Sequence, residues 1–211
     1  MPLSNILKRP LHAYLGLLSS RPLATRTATG FFMSGAGDLI AQVLESDFSD
    51  RKKNAKMDIR RFCVFAFFGA FWTGPVNSTW LPILNRLVDG NRLFSKTLSN
   101  TASSSSVLAT MVKVAIQQLA WNPLAFMPAF YCAYGLGYGL GLQGTLDKAK
   151  PEYWTSLVAC WQIWVPGSFI AFRFSTQYQS VVMAVMNLIW NTRLSWESHK
   201  RRRDAAIVSS H

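Results

Sequence analysis

Histidine and cysteine side chains are the residues most able to do chemistry in this chain, and their spacing matches no catalytic or metal-binding pattern. The histidines lie near the chain ends, and the cysteines lie inside apolar stretches without a CxxC motif. They are His12, His199, His211, Cys63, Cys132 and Cys160. A catalytic or metal site needs several such groups together. We therefore predict no enzymatic activity, no metal site and no cofactor, and interpret the cysteines as packing residues.

A glycine-rich motif, Gly139-Leu-Gly141-Leu-Gln-Gly144, matches the GxGxxG pattern of dinucleotide-binding proteins. That pattern requires a strand before it and an acidic residue about 20 residues after it. Here an apolar helix is expected before the motif and a short polar loop after it, so we reject nucleotide binding. The pair Gly135 and Gly139 instead has the small-xxx-small spacing that lets helices approach closely in lipid.

Asp38 is the most informative single residue, because it is a carboxylate within an apolar stretch. A carboxylate at membrane depth is costly and usually faces a cavity, a polar pathway or a basic partner. Either a pathway lining or a structural pair fits Asp38, which lies only six residues from Leu44. The other intramembrane polar candidates are uncharged and suit either a pore lining or interhelical hydrogen bonds. They are Gln42, Gln117, Gln118 and Asn122.

Long charge-free stretches indicate the elements that must position these residues. No Asp, Glu, Lys or Arg occurs in 62–85, 114–146, 153–172 or 174–192. Each stretch is close to or above the roughly 20 apolar residues that cross a bilayer. Charged residues make up only 15% of the chain, against about 25% in soluble domains. The sequence predicts an all-α, multi-span transmembrane bundle of about four spans, the first from Leu23 to Leu44, with a broken last segment.

Kinks are predicted inside these stretches, because a proline removes a backbone donor and bends or breaks a helix. The positions selected for a kink or for helix packing are Gly74, Pro75, Pro123, Gly135, Gly139 and Pro166. The last apolar region, Tyr153 to Thr192, allows two interpretations. It forms two spans divided at Arg173, or one span preceded by a helix that bends near Pro166.

The two ends of the chain are basic. We divide the sequence into a basic amphipathic N-terminal segment (1–22), a transmembrane helical domain (23–196) and a basic C-terminal tail (197–211). The first 37 residues contain no acid, which is typical of a mitochondrial import signal, although a short interfacial helix is equally compatible. The formal net charge is +12, and the basic residues lie between the apolar stretches. We therefore expect the lipid bilayer as partner and no nucleic acid, and the sequence allows a homo-oligomer.

Several motifs in order resemble the Mpv17/PMP22 family of mitochondrial inner-membrane and peroxisomal membrane proteins. The most specific is the closing segment Trp190-Asn191-Thr-Arg-Leu194-Ser195-Trp196, and Trp80 follows Gly74-Pro75 earlier in the chain. The chain departs from the family pattern at Gln117, where the family usually has Asp.

The resemblance implies four spans, no enzymatic activity and a weakly selective pore for small solutes. It also implies a role in mitochondrial homeostasis, stress response and mitochondrial DNA maintenance. The mitochondrial inner membrane is the expected location. A peroxisomal membrane pore and a non-conducting membrane scaffold are the alternatives.

Overall fold

The computed structural model describes residues 3–47, 57–89, 104–172 and 176–208, and every regular element within these ranges is helical. The elements are α1 (Leu3–Ser20), α2 (Pro22–Asp47), α3 (Ile59–Phe71), π1 (Trp72–Val76), α4 (Asn77–Asp89), α5 (Ser104–Ile116), π2 (Gln117–Phe126), α6 (Met127–Tyr138), α7 (Gly141–Phe172) and α8 (Thr176–Val208). The all-α prediction is therefore confirmed.

In the described ranges the helices form six continuous helical segments, which we call rods. One rod runs without a break through α3, π1 and α4, and another through α5, π2 and α6. The wider π-helical turns contain Pro75 and Pro123. A π-helical insertion is a recognised cause of a helix bend. Pro166, by contrast, lies inside an uninterrupted α7.

The prediction of several membrane spans is not confirmed. None of the helices in the described ranges combines the length and the apolar character that are needed to cross a membrane.

Helix α2 lies between α3 and α8 and touches both along most of its length. Glycines allow this close approach. A Cβ atom on Gly30 would lie 2.7 Å from the Cβ of Thr73, and one on Gly37 would lie 2.7 Å from the Cβ of Asn191. Any larger side chain at these two positions would force the helices apart.

An aromatic core fills the space between α3, α6, α7 and α8. The Phe65 and Phe130 rings meet edge to face at a centroid distance of 5.5 Å. Tyr134 and Trp190 are fully enclosed beside them. Edge-to-face aromatic pairs add about 0.5–1.5 kcal/mol each beyond the area that they bury. The core therefore fixes the relative positions of four helices.

The last apolar region consists of two helices, α7 and α8. Arg173, at which the sequence could divide the region, lies outside the described residues. So do residues 48–56 and residues 209–211. Helix α8 crosses position 197 and continues to Val208, so the described part of the C-terminal tail is helical.

The interpretation of Gly135 and Gly139 as a pair on one helix face is wrong. Helix α6 ends at Tyr138, and Gly139 has a φ of 65°, which glycine tolerates best. The amide of Leu140 donates to the carbonyl of Gly135 over 2.9 Å, and that of Gly139 donates to the carbonyl of Leu136 over 3.2 Å. This pattern is the Schellman motif that ends helices. Gly135 packs instead against Thr145 of α7.

Candidate functional site

A buried arginine paired with two carboxylates is the main polar feature of the bundle. The Arg61 Nε lies 2.6 Å from Asp38 Oδ1. Its two terminal nitrogens donate to the two Glu45 oxygens over 2.8 and 2.9 Å. This bidentate geometry is the strongest form of a guanidinium–carboxylate pair. We call Asp38, Gln42, Glu45, Arg61 and Ser195 the Arg61 cluster.

Helix α2 supplies three members of the Arg61 cluster from one face. Asp38, Gln42 and Glu45 stand at i, i+4 and i+7, which places them on the same side of a helix. Gln42 donates to Asp38 Oδ2 over 2.8 Å. Its Oε1 also accepts a hydrogen bond from the backbone amide of Asp58 over 2.8 Å. The α2 face is therefore tied to the residue that precedes α3.

Helix α3 begins at the point where Arg61 can reach α2. Asp58 is its N-cap, and the Asp58 side chain accepts the Arg61 amide over 2.9 Å. A capping aspartate contributes about 1 kcal/mol to a helix. The cap fixes the first turn of α3, from which the buried Arg61 side chain reaches Asp38 and Glu45 of α2.

Ser195 of α8 completes the Arg61 cluster from the far end of the sequence. Its hydroxyl donates to Asp38 Oδ1 and accepts from Arg61 Nη2 over 2.7 Å. One turn before it, Asn191 lies where Gly37 lets α8 approach α2. The close glycine contact therefore brings the serine within reach of the ion pair.

Burial decides what this cluster can do. Asp38 and Ser195 are 0% exposed and Arg61 is 4% exposed. Paired charges in so poorly solvated a place are costly to separate, because each would be left without a partner. Two carboxylates and one guanidinium give the cluster a formal charge of −1. The geometry suits a fixed joint between α2, α3 and α8, and Asp38 is placed in a structural pair.

A second polar group surrounds π2. Asn122 Nδ2 donates to Gln118 Oε1 over 2.8 Å and to Cys160 Sγ over 3.4 Å. On its outer side, Trp80 Nε1 donates to Gln117 Oε1 over 2.5 Å. The Trp80 ring also stacks on another indole, that of Trp121, at 3.9 Å.

Two side chains of α7 donate to backbone carbonyls of π2, near the bend at Pro123. In a π-helix, residue i donates to residue i−5, so Pro123 leaves the Gln118 carbonyl without a donor. Trp161 Nε1 donates to that carbonyl over 2.8 Å. The Tyr153 hydroxyl donates to a second carbonyl of π2, that of Pro123, over 2.6 Å. The proline bend is thus capped by a neighbouring helix.

The structure does not bring the predicted polar residues into one place. Asp38 and Gln42 lie in the Arg61 cluster, whereas Gln117, Gln118 and Asn122 belong to the group around π2. Among the described residues, no hydrogen bond joins the two sets. The residues of each set form their hydrogen bonds with side chains that lie next to them in space.

The remaining selected residues have structural positions. Gly74 and Pro75 lie in π1, and a Cβ on Gly74 would meet Thr27 of α2. Trp190 and Leu194 belong to the aromatic core. Asn191 donates back to the carbonyl of Asn187 over 2.7 Å.

Sequence reasoning missed three residues. Arg61 and Glu45 stood at the ends of apolar stretches, where charges usually mark membrane flanks. The i, i+4, i+7 spacing of Asp38, Gln42 and Glu45 was the signal that could have identified the shared face. His199 was grouped with the chain ends, but it is buried, 3.2 Å from the Tyr134 hydroxyl. No local pattern indicates that contact.

Comparison with known proteins finds similarity to one family of membrane proteins. The model of the Mpv17 / PMP22 family matches residues 136–195. The mitochondrial inner membrane protein Mpv17 of Danio rerio is 26% identical over 189 residues, which cover 89% of this chain and 96% of that protein. Protein SYM1 of Saccharomyces cerevisiae is 28% identical over 90% of each chain.

A peroxisomal relative matches over a similar length. Peroxisomal membrane protein 2 of Bos taurus is 24% identical over 89% of each chain. No solved structure matches significantly. The matched segment contains the closing motif from Trp190 to Ser195, and the relatives align along nearly the whole chain. The chain is therefore similar to proteins of the Mpv17/PMP22 family along most of its length.

Proposed function

We propose that this protein is a multi-span protein of the mitochondrial inner membrane that controls the permeability of that membrane to small solutes. The observation that carries the membrane part is the apolar outer surface of the bundle. Leu124 is 78% exposed, Leu136 is 84% exposed and Phe67 is 65% exposed. Extensive exposed apolar surface marks contact with a membrane or with another protein. The names of the Mpv17 and peroxisomal relatives support a membrane setting.

The permeability part rests on the Arg61 cluster as a closed joint. Asp38 and Arg61 join α2, α3 and α8 and face one another instead of an aqueous path. Any conducting state then requires these helices to separate, so the strength of the joint sets how often the path opens. Control of permeability would serve the roles in mitochondrial homeostasis, stress response and mitochondrial DNA maintenance that the family resemblance implies.

Conductance measurements test this function. Purified full-length protein in planar bilayers should conduct small ions. Ser195→Ala should increase the open time because it removes the hydrogen bonds that the serine hydroxyl makes with Asp38 and Arg61. Ser156→Ala is the matched control. Ser156 is equally buried but bonds Tyr131 outside the Arg61 cluster. Equal conductance of the two variants would contradict the joint.

A non-conducting scaffold is the second candidate. It is favoured because every intramembrane polar residue that the sequence singled out is hydrogen-bonded to another side chain of the protein. Absence of conductance in well-folded parent protein and in Ser195→Ala would support the scaffold and remove the channel function.

Location requires its own test, because peroxisomes are the alternative. The first 37 residues contain Lys8, Arg9, Arg21 and Arg26 and no acid. We expect deletion of residues 1–20 from a tagged full-length protein to abolish mitochondrial localisation. Unchanged localisation would show that these residues are not the import signal, and a peroxisomal pattern in the parent would favour the alternative location.

A further inference from the structure

An apolar groove lies on the side of the bundle between α1, α2 and α8. Its volume is about 680 Å³. Each of the three helices contributes bulky apolar side chains to its walls. Examples are Leu11 and Leu17 of α1, Phe32 and Met33 of α2, and Val185 and Leu188 of α8. We call this feature the outer groove.

The hydroxyl groups of the outer groove are already used within the protein. Thr25 donates to the carbonyl of Arg21 over 2.9 Å, and Thr29 donates to the carbonyl of Thr25 over 2.8 Å. The Tyr14 hydroxyl lies 3.3 Å from the hydroxyl of Thr29. These groups offer little to a polar ligand, so the walls are suited to a hydrocarbon chain.

Arg21 gives the outer groove a charged end. It is exposed and stands between α1 and α2. Among the side chains that the structure describes, none pairs with its guanidinium, whereas the nearby Arg26 donates to the Ser78 hydroxyl over 3.2 Å. The described lining contains no acidic residue. The outer groove therefore combines a hydrocarbon-compatible wall with a cation that can pair with an anionic group.

We propose that the outer groove binds one acyl chain of an anionic phospholipid, whose phosphate pairs with Arg21. This inference rests on the membrane location proposed above. The dimensions fit, because Met33 lies twelve positions after Arg21, about 18 Å at a helical rise of 1.5 Å per residue. One leaflet occupies about 15 Å, half of a hydrocarbon core of about 30 Å. Basic positions beside membrane helices are known binding sites for anionic headgroups.

Photocrosslinking in nanodiscs tests the proposal. Full-length protein is placed in phosphatidylcholine nanodiscs that contain a small fraction of phosphatidylglycerol with a diazirine on its acyl chain. Mass spectrometry then locates the label. We expect label on α1, α2 and α8 peptides that face the outer groove, and several-fold less from phosphatidylcholine that carries the same diazirine chain.

Three variants distinguish the contribution of the Arg21 charge to lipid binding from that of the apolar groove wall. Arg21→Gln should weaken phosphatidylglycerol labelling about fivefold, the loss of about 1 kcal/mol that one surface cation contributes. Arg86→Gln, which removes an exposed arginine from the last turn of α4, should leave labelling unchanged. Ala28→Phe, which fills the outer groove without a change of charge, should reduce labelling by both lipids.

Several results would overturn the proposal. Equal labelling by the two lipids in the parent would make the outer groove an unselective lipid-facing surface. Unchanged labelling in Arg21→Gln would remove the phosphate contact. Displacement of the probe by low concentrations of oleate would identify a free fatty acid as the occupant. Protein that does not enter nanodiscs would contradict both this proposal and the membrane location, whereas entry without lipid preference contradicts the outer groove alone.

Discussion

Substitution of Arg61 should destabilise the fold far more than substitution of Asp38, although the two residues form one ion pair. Arg61→Met leaves two carboxylates, Asp38 and Glu45, without their cation in a place where Asp38 is 0% exposed. Breaking a buried pair in this way costs about 3–5 kcal/mol. Asp38→Asn keeps the bidentate bond between Arg61 and Glu45, and the new amide oxygen still accepts a hydrogen bond. We expect a cost of about 1–2 kcal/mol, near that of a single hydrogen bond.

Thermal unfolding followed by thiol labelling measures the difference. Cys160 is 1% exposed, whereas Cys132 is exposed and Cys63 is half-buried. In a background with Cys63→Ser and Cys132→Ser, a thiol-reactive dye reports the opening of the core at Cys160. A shift of about 2–4 °C per kcal/mol gives a melting temperature lower by roughly 6–20 °C for Arg61→Met.

The neighbouring arginine is the matched control. Arg60 is exposed, and its Nε donates to the carbonyl of Gly137 over 2.7 Å. Arg60→Met should therefore cost about 1 kcal/mol or less. The reasoning fails if Arg61→Met is no more destabilising than Arg60→Met, or if Asp38→Asn is as destabilising as Arg61→Met.

Two further substitutions test the proline bend and the helix end. Trp161→Phe should cost about 1–3 kcal/mol because it leaves the Gln118 carbonyl without a donor, whereas Trp154→Phe on the exposed face should leave the melting temperature unchanged; equal effects would contradict the capping role. Gly139→Ala should cost about 1–2 kcal/mol because its φ is 65°, whereas Gly16→Ala, within α1 and with open space at its Cβ, should be neutral or slightly stabilising. If both glycine variants changed the free energy of unfolding in the same direction, the left-handed helix end at Gly139 would be contradicted.

The helical class and the positions of several bends follow from local patterns. Charge-free stretches of sufficient length predict long helices, and Pro75 and Pro123 predict bends because neither can donate a backbone hydrogen bond. Asp38 stands out for a similar local reason, since a carboxylate amid apolar neighbours must have a compensating partner. These features depend on residues close together in the sequence.

The pairing of the helices does not follow from local patterns. Arg61 and Ser195 are 134 residues apart, and their contact depends on how α2, α3 and α8 pack. The Gly135 to Gly141 region shows the same limit. Its spacing fits a packed helix face, but the positive φ at Gly139 and Gly141 ends one helix before the next begins. His199 is hidden by tertiary packing in a segment whose composition suggests a solvated tail.

The closure of the Arg61 cluster by Ser195 has a consequence for synthesis and for surveillance of the protein in the cell. Asp38 is made 157 residues before the serine that completes its hydrogen bonds. A nascent chain, or one shortened by a premature stop before α8, therefore presents an incompletely bonded acid and arginine pair to the machinery that inspects new proteins. Such a chain should be bound by chaperones and degraded, and only the complete chain hides this signal. A stop codon late in the gene would then act as a loss of the whole protein instead of the loss of a tail.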